Sequence, residues 1–351
     1  MAMSEFRIGD LPIGPGRPPY VVAEVGINHN GDLTLAMKSV RAAAECGADA
    51  VKFQTFRAEE FIADRNLTHT YMEGGKTITE NAFTMFERLE LPRAWHRALM
   101  DYCASLGVQF LSSAADPLSA DLLVELGVGA IKLSSEDLIN RPLLRHVGAL
   151  RRPVIMSTGM ADEVEVDEAI EALSSAGCRE LLLLHCVSIY PTPDPEANLL
   201  RLVSLRERYG LPVGYSDHSL GITASIGAVA LGALLIEKHF TLDRTLVGPD
   251  HSLSSDPQEL ATLVTEVGRI WQMAGSKDIA PSATELTTRK DFRRSVTLSR
   301  DVEAGARIAP EFLCLKRPAT GLHPRHLGEV VGRRARTVLR VNQPLTWDDL
   351  E

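Results

Sequence analysis

Two apolar, strand-like segments of this chain each end in a histidine: PVGYSDH runs to His218, and LLIEKHF carries His239. Their separation of 21 residues is about that of one parallel strand-helix-strand step, which predicts two imidazoles side by side at neighbouring strand ends. Ser216, Asp217, His218, Glu237, Lys238 and His239 make a polar cluster there that is costly to bury unless it is paired, metal-bound or catalytic. Histidine is a common metal ligand. Two hydrogen-bonded structural histidines are the plainer alternative. Between them, Ser219 to Ile236 carries no charge over eighteen residues, long enough to consider a membrane helix. Gly221, Gly227 and Gly232, with Ser219, Thr223 and Ser225, favour instead a buried helix followed by a buried strand.

Eight short β-rich apolar runs must position this chemistry: residues 20–27, 50–55, 108–113, 130–135, 153–159, 180–187, 212–218 and 234–240. Amphipathic helical patterns separate most of them, for example Leu33 to Cys46, Pro117 to Leu126, Glu163 to Ala176 and Asn198 to Tyr209. Many of these patterns stop at a Gly-containing turn. Eight strand-helix units over about 250 residues describe a (β/α)8 TIM barrel. An open doubly wound sheet is the runner-up, lowered by the lack of a Gly-rich dinucleotide fingerprint. The piece from Arg57 to Leu91, with Thr68, His69, Tyr71, Gly74, Gly75 and Thr79, reads as a long irregular loop after the second strand, at the end of the barrel where active sites form, and is expected to cover the substrate.

The last polar residues of each strand then make a site inventory. Strand one offers Glu24, Asn28 and His29, and strand two Lys52 and Gln54. Strand three adds Ser112 and Ser113, and strand four Lys132, Ser134, Ser135, Glu136 and Asp137. Strand five adds Ser157 and Thr158, and strand six His185, Ser188 and Tyr190. Lys52 and Lys132 with Ser135, Ser157, Ser188 and Ser216 suit a phosphate, because cations neutralise it and hydroxyls donate to its oxygens. The carboxylates of Glu24, Asp137, Asp217, Glu237 and Asp250 fit acid-base work, sugar hydroxyls or a divalent cation. The spacing alone points to a metal-assisted reaction of a phosphorylated anionic substrate.

The 351 residues carry a net charge of −9, yet the stretch from Leu286 to the end is +5, leaving −14 for the rest. The basic tail has isolated arginines without interleaved aromatics, so no nucleic-acid partner is expected. Cys46, Cys103, Cys178, Cys186 and Cys314 form no CxxC pair and read as reduced core residues. The start, MAMSEFRIGD, has no apolar signal core, so the expected compartment is the cytoplasm, with no membrane partner. The expected domains are a barrel over 1–274, a linker over 275–291 and a small β-rich module over 292–351, too small to bury a large core alone.

The motifs AEVGINHNG (23–31), VKFQT (51–55), STGM (157–160), LLHCVSIYPTP (183–193), YSDHSLG (215–221), IEKHFTLDR (236–244) and GPDH (248–251) resemble the sialic acid synthase family, and the tail resembles its antifreeze-like (SAF) domain. That resemblance implies condensation of phosphoenolpyruvate with an N-acetylmannosamine-type hexose to a nine-carbon nonulosonic acid. It implies a divalent metal on His218 and His239, manganese first, with magnesium, cobalt or zinc as alternatives. It implies Lys52, Lys132, Ser135, Ser157, Ser188 and Ser216 around the phosphate, and Glu24, Gln54, Tyr190, Asp217, Glu237 and Asp250 facing the sugar and the water. It implies a homodimer in which the C-terminal domain is exchanged and Arg317 reaches the partner's site. Asp137 is the first choice for the water-activating carboxylate, with Glu136 as its rival. Ser134 and Glu136 stand at usual glycines, Ser188 at a usual asparagine and Ala319 at a usual glycine, which leaves the sugar open among neuraminate, legionaminate and pseudaminate precursors. Another metal-dependent barrel aldolase or sugar-phosphate enzyme, or a non-catalytic carbohydrate-binding homologue, remains the alternative.

Overall fold

The computed structural model describes residues 6–351. The chain divides into two compact units, one ending at Gly275 and one running from Ser276 to Glu351.

In the first unit eight parallel strands close into a barrel: β1 (Tyr20–Gly26), β2 (Ala50–Thr55), β3 (Gln109–Ala114), β4 (Ile131–Leu133), β5 (Val154–Ser157), β6 (Leu181–Cys186), β7 (Val213–Asp217) and β8 (Leu235–His239). Closure comes from β8 pairing with β1, with Glu237 opposite Val22 and His239 opposite Glu24. The runner-up open sheet is thereby excluded. Strand side chains alternate between faces, so each strand supplies two cores. Val22, Ala50, Leu111, Ile155, Leu182 and Leu235 point inward and fill the barrel floor. A short hairpin, Phe6–Ile8 with Leu11–Ile13, closes that floor by adding Phe6, Ile8 and Ile13 to the same cluster. Val21, Val51, Phe53, Ile131 and Leu183 point outward against the surrounding helices. This double burial is why the strands read as near-continuous apolar runs.

The helices stand where the periodicity predicts them, at Leu33–Glu45, Pro117–Leu126, Glu163–Ala176 and Leu200–Tyr209. Their starts are chemically marked: Asp116 accepts from the Ser119 N–H, and Asp162 forms a capping box with Glu165. The uncharged run after His218 is the helix Thr223–Ala230 followed by β8. Among the described residues no helix is long and apolar enough to cross a membrane.

Two stretches differ from expectation. Residues 57–91 are not an irregular loop: they hold an antiparallel hairpin, Thr68–Glu73 with Lys76–Asn81, and a helix, Ala82–Leu89. Gly74 and Gly75 turn the hairpin with φ of 54° and 78°, the paired positive values of a type I′ turn. Both strands are polar on both faces, which hid the alternation. The expected linker also contains a helix, Ala283–Phe292, started by a Ser282–Glu285 capping box.

In the second unit, Ser295–Leu298 pairs antiparallel with Leu313–Lys316, and isolated bridges such as Val302 with Leu339 extend the β framework. Its own core includes Val296, Leu298, Ile308, Leu322 and Leu345. The five cysteines are unpaired.

Candidate active site

The C-terminal ends of the strands surround a cavity of about 480 Å³. Its deepest polar residues come from inward-facing strand positions. Lys52 on β2 lies 2.8 Å from Glu24 Oε1 on β1 and 3.6 Å from Glu237 Oε2 on β8. Lys132 on β4 lies 3.8 Å from Glu237 Oε1, and donates to Ser157 Oγ at 2.7 Å and to the Leu133 carbonyl at 3.0 Å. Gln54 donates to Glu24 at 3.0 Å and Ser216 to Glu237 at 2.9 Å. All four charged side chains are buried.

Burial raises Glu24 to about 7, against the pull of Lys52. Burial would raise Glu237 as well, but Lys132, Lys52 and the Ser216 hydrogen bond hold it well below the ordinary carboxylate range. Burial opposes the charge on Lys52, yet Glu237 and Glu24 raise its pKa overall; in Lys132, burial and Lys52 outweigh Glu237 and lower it. A Glu24 carboxyl raised in this way is partly protonated near neutral pH, which leaves Lys52 less fully neutralised. Ser135, Ser157 and Ser216 line the same end. The Gly159 N–H donates to Ser135 Oγ at 3.1 Å, and a side chain on Gly159 would collide with Ser135 Oγ, Ser188 Oγ and Cys186 Sγ. That crowding explains the glycine of the STGM motif.

His218 and His239 meet at the cavity wall with ring centroids 5.6 Å apart. Tyr190 stacks on His218 at 4.2 Å and approaches His239 edge-on at 5.9 Å. His218 Nδ1 lies 2.7 Å from the Val187 carbonyl, a partner that fixes the proton on Nδ1 and leaves the Nε2 lone pair toward the cavity. Burial lowers His218 to about 4 and His239 far below its usual range, so both imidazoles are neutral at neutral pH. His239 Nδ1 is buried without a hydrogen-bond partner, 3.6 Å from Asp250 Oδ2. An unpartnered imidazole nitrogen beside a second neutral imidazole and a carboxylate fits a divalent cation with open positions. Among the described residues no group of three or more His, Cys, Asp or Glu is arranged to hold a metal, so an ion here would take its other ligands from substrate and water.

The structure thus brings Glu24, Lys52, Gln54, Lys132, Ser135, Ser157, Tyr190, Ser216, His218, Glu237, His239 and Asp250 to one cavity. Three residues of the barrel unit expected to act at the site do not line it. Asp217 alternates outward on β7, where it accepts from the Ser219 N–H at 2.9 Å and from the Ser219 and Ser225 hydroxyls, both at 2.6 Å, and pairs with Lys238. Ser188 stops beside Gly159, outside the cavity lining. Asp137 lies under the mouth, with Oδ2 unpartnered, while Glu136 lines the cavity. The reason is local: β4 ends at Leu133 and the chain enters a 3-10 turn, Glu136–Ile139, where period-two alternation no longer sets direction. Of the strand-end inventory, Ser112 and His185 also face outward, Ser112 to Thr55 at 2.7 Å and His185 to the Ala197 carbonyl at 2.8 Å. Arg317 belongs to the second unit, where its guanidinium lies over the Phe292 ring at 5.1 Å.

The hairpin supplies residues that the strand-end inventory missed: His69, Thr70, Tyr71 and Met72, joined by Met85 and Phe86 of the following helix. The length of the 57–91 segment and its place at the active-site end signalled it, with His69 and Tyr71 among its residues, but not which side chains reach the cavity.

The first unit is thus a closed (β/α)8 barrel with lysines, serines and paired histidines at its strand ends. Comparison with known proteins narrows this. Residues 39–279 match the NeuB family and residues 293–351 the SAF domain. The chain is 41% identical over 347 residues to the N,N'-diacetyllegionaminic acid synthase of Legionella pneumophila, covering 98% of each chain. It is 32% identical to the pseudaminic acid synthase of Helicobacter pylori, over 95% of this chain and 98% of that one. The crystal structure of the N-acetylneuraminic acid synthetase of Leptospira borgpetersenii, in complex with citrate, superposes with a TM-score of 0.74 at 35% identity, covering 81% of this chain and 95% of that one. The chain belongs to the NeuB family and ends in a SAF domain.

Proposed function

We propose that this protein joins phosphoenolpyruvate to the aldehyde carbon of an acylamino hexose, giving a nine-carbon 2-keto acid and inorganic phosphate. The observation that carries this is the meeting, in one cavity, of a phosphate-sized set of cations and hydroxyls with the His218–His239 pair. The relatives named as legionaminic, pseudaminic and N-acetylneuraminic acid synthases support it.

In this reading Lys52 and Lys132 neutralise the phosphate and Ser135, Ser157 and Ser216 donate to its oxygens. Gln54, Tyr190 and Asp250 orient the sugar. A divalent ion held by His218 and His239, manganese first, would polarise the aldehyde, worth several kcal/mol of developing charge. The enol carbon of phosphoenolpyruvate bonds to the aldehyde carbon, and Glu24, raised to about 7, is suited to give a proton to the sugar oxygen. Water then adds to C2 and loses a proton to a carboxylate of the β4 turn. Glu136 lines the cavity and takes that role ahead of Asp137. Collapse of the adduct breaks the C2–O bond, and the bridging oxygen leaves with the phosphate. The protein acts as a homodimer in which Arg317 of one chain reads the acyl group in the partner's barrel.

The test is incubation of the purified protein with phosphoenolpyruvate, manganese and a panel of 2-acetamido and 2,4-diacetamido hexoses. Phosphate release equal to the loss of both substrates is expected. Condensation without phosphate release would identify an aldolase instead.

A further inference from the structure

Asn28, one of the polar residues just past the first strand, is buried and does not line the cavity. Its amide nitrogen donates to the Phe240 carbonyl and to Ser254 Oγ, both at 2.9 Å and 212 and 226 positions away in the chain. A carbonyl oxygen only accepts, so the NH2 end of the amide is the end that faces Phe240, and both of its protons are engaged. The need for this donor arises at the seam of the barrel. The ladder between β8 and β1 ends at His239 opposite Glu24, and the Phe240 N–H adds a last rung to the Glu24 carbonyl at 2.8 Å. β1 then leaves the sheet at Gly26, with φ of 53°, and folds back so that the Asn28 N–H reaches the Val25 carbonyl at 2.8 Å. The Asn28 side chain takes the Phe240 carbonyl in place of a further rung.

The second amide proton leads to Asp250. Ser254 Oγ, which accepts it, donates in turn to the Asp250 carbonyl at 2.6 Å, and the Ser255 N–H donates to the His239 carbonyl at 2.8 Å. One amide therefore fastens the residue after His239 to the loop that carries Asp250, and the 3.6 Å between His239 Nδ1 and Asp250 Oδ2 spans those two fastened segments. Asn28 Oδ1, by contrast, is buried with no partner. An empty buried acceptor is unfavourable, so the residue is accounted for by its two donors and by what they hold in place.

We propose that Asn28 is a positioning residue for the metal site: its two amide donors set the spacing of the His239 imidazole and the Asp250 carboxylate. The inference rests on the assignment of a divalent ion to His218 and His239 above, and adds the residue that holds one of those ligands against the neighbouring carboxylate. Partners that orient a ligand from behind govern metal affinity without touching the ion.

Manganese affinity is read by paramagnetic titration of the free ion, and phosphoenolpyruvate affinity by calorimetry without metal. In Asn28→Leu, close in shape but without donors, manganese should bind about ten- to a hundredfold more weakly, with phosphoenolpyruvate affinity unchanged. Ser254→Ala spares the bond to Phe240 and cuts the tie to Asp250, so a smaller loss in the same direction is expected. Manganese affinity unchanged in both variants overturns the proposal, and so does an equal weakening of manganese and phosphoenolpyruvate. A lowered melting temperature in Asn28→Leu with manganese affinity intact marks the amide as structural and overturns it as well. Where Asn28→Leu does not fold, Ser254→Ala decides. The His218→Ala/His239→Ala protein separates this inference from the reading beneath it. If that protein loses manganese and Asn28→Leu does not, the histidine site stands and the positioning role falls. If it binds manganese as the parent does, both fall.

Discussion

Asp217 and Lys238 stand opposite each other in parallel register on β7 and β8, with Oδ2 3.1 Å from Nζ and both side chains sealed from solvent. Each is followed at once by a histidine of the cavity, His218 or His239. The pair lies behind the strands, and Lys238 also donates to the Ser219 carbonyl. Removing one partner leaves a buried charge uncompensated, which costs about 3 to 5 kcal/mol. Asp217→Asn is therefore expected to lower the urea midpoint strongly. The double variant Asp217→Leu/Lys238→Met should lose less than the two single losses added together. Additive losses would show that the pair is not coupled.

Lys52→Met and Lys132→Met should each raise KM for phosphoenolpyruvate about ten- to a hundredfold, the loss of one charge-assisted contact. Steady-state kinetics at saturating sugar check this. Unchanged phosphoenolpyruvate binding by calorimetry in both variants would remove the lysines from the phosphate site.

Manganese affinity should vanish in the His218→Ala/His239→Ala double variant and activity should be lost on exhaustive chelation. Paramagnetic titration of free manganese measures the first without any turnover. Full activity after chelation would sink the metal assignment.

The buried carboxyls of Asp137 and Asp250 contribute stability that is present in acid and lost as pH rises. Burial, then Glu136, raises Asp137 to about 7, and burial raises Asp250 to about 6. A raised group is protonated in the folded state while ionised in the unfolded chain, so its contribution is complete below about pH 4 and is lost as pH climbs toward 7. Asp137→Asn removes that titration. The difference in melting temperature between parent and variant, measured between pH 4.5 and 8, should shift in the variant's favour as pH rises, and a difference that is constant with pH would refute the shift.

Subunit exchange tests the shared site. An inactive Arg317→Ala protein mixed with an inactive His218→Ala protein should regain activity, because one site of the mixed dimer then receives both intact halves. No recovery, with exchange confirmed by mass spectrometry, would mean that each chain completes its own site.

The barrel was legible because its strands are buried on both faces: runs such as LLLLHC and the helix patterns between them have no other good solution. Lys52, Lys132, His218 and His239 were legible because a closed barrel directs strand ends to one mouth. Sequence alone determined, then, which residues stand at the strand ends. It did not determine which way each one faces. Asp217 and Glu237 are equally polar and equally near a strand terminus, and the half-turn between successive side chains sends one behind the sheet and the other into the cavity. Past the last ladder bond even that alternation fails, so Glu136 and Asp137 exchanged their expected places. The segment carrying His69 and Met72 was legible as a long piece at the active-site end, but its hairpin was not, for a related reason. Its strands are polar on both faces, and only pairing across the Gly74-Gly75 turn and bonding to the loop of Asp250 turn it into a wall of the site. Contacts between residues 175 or more positions apart have no periodicity to announce them, and the tertiary structure alone decides them.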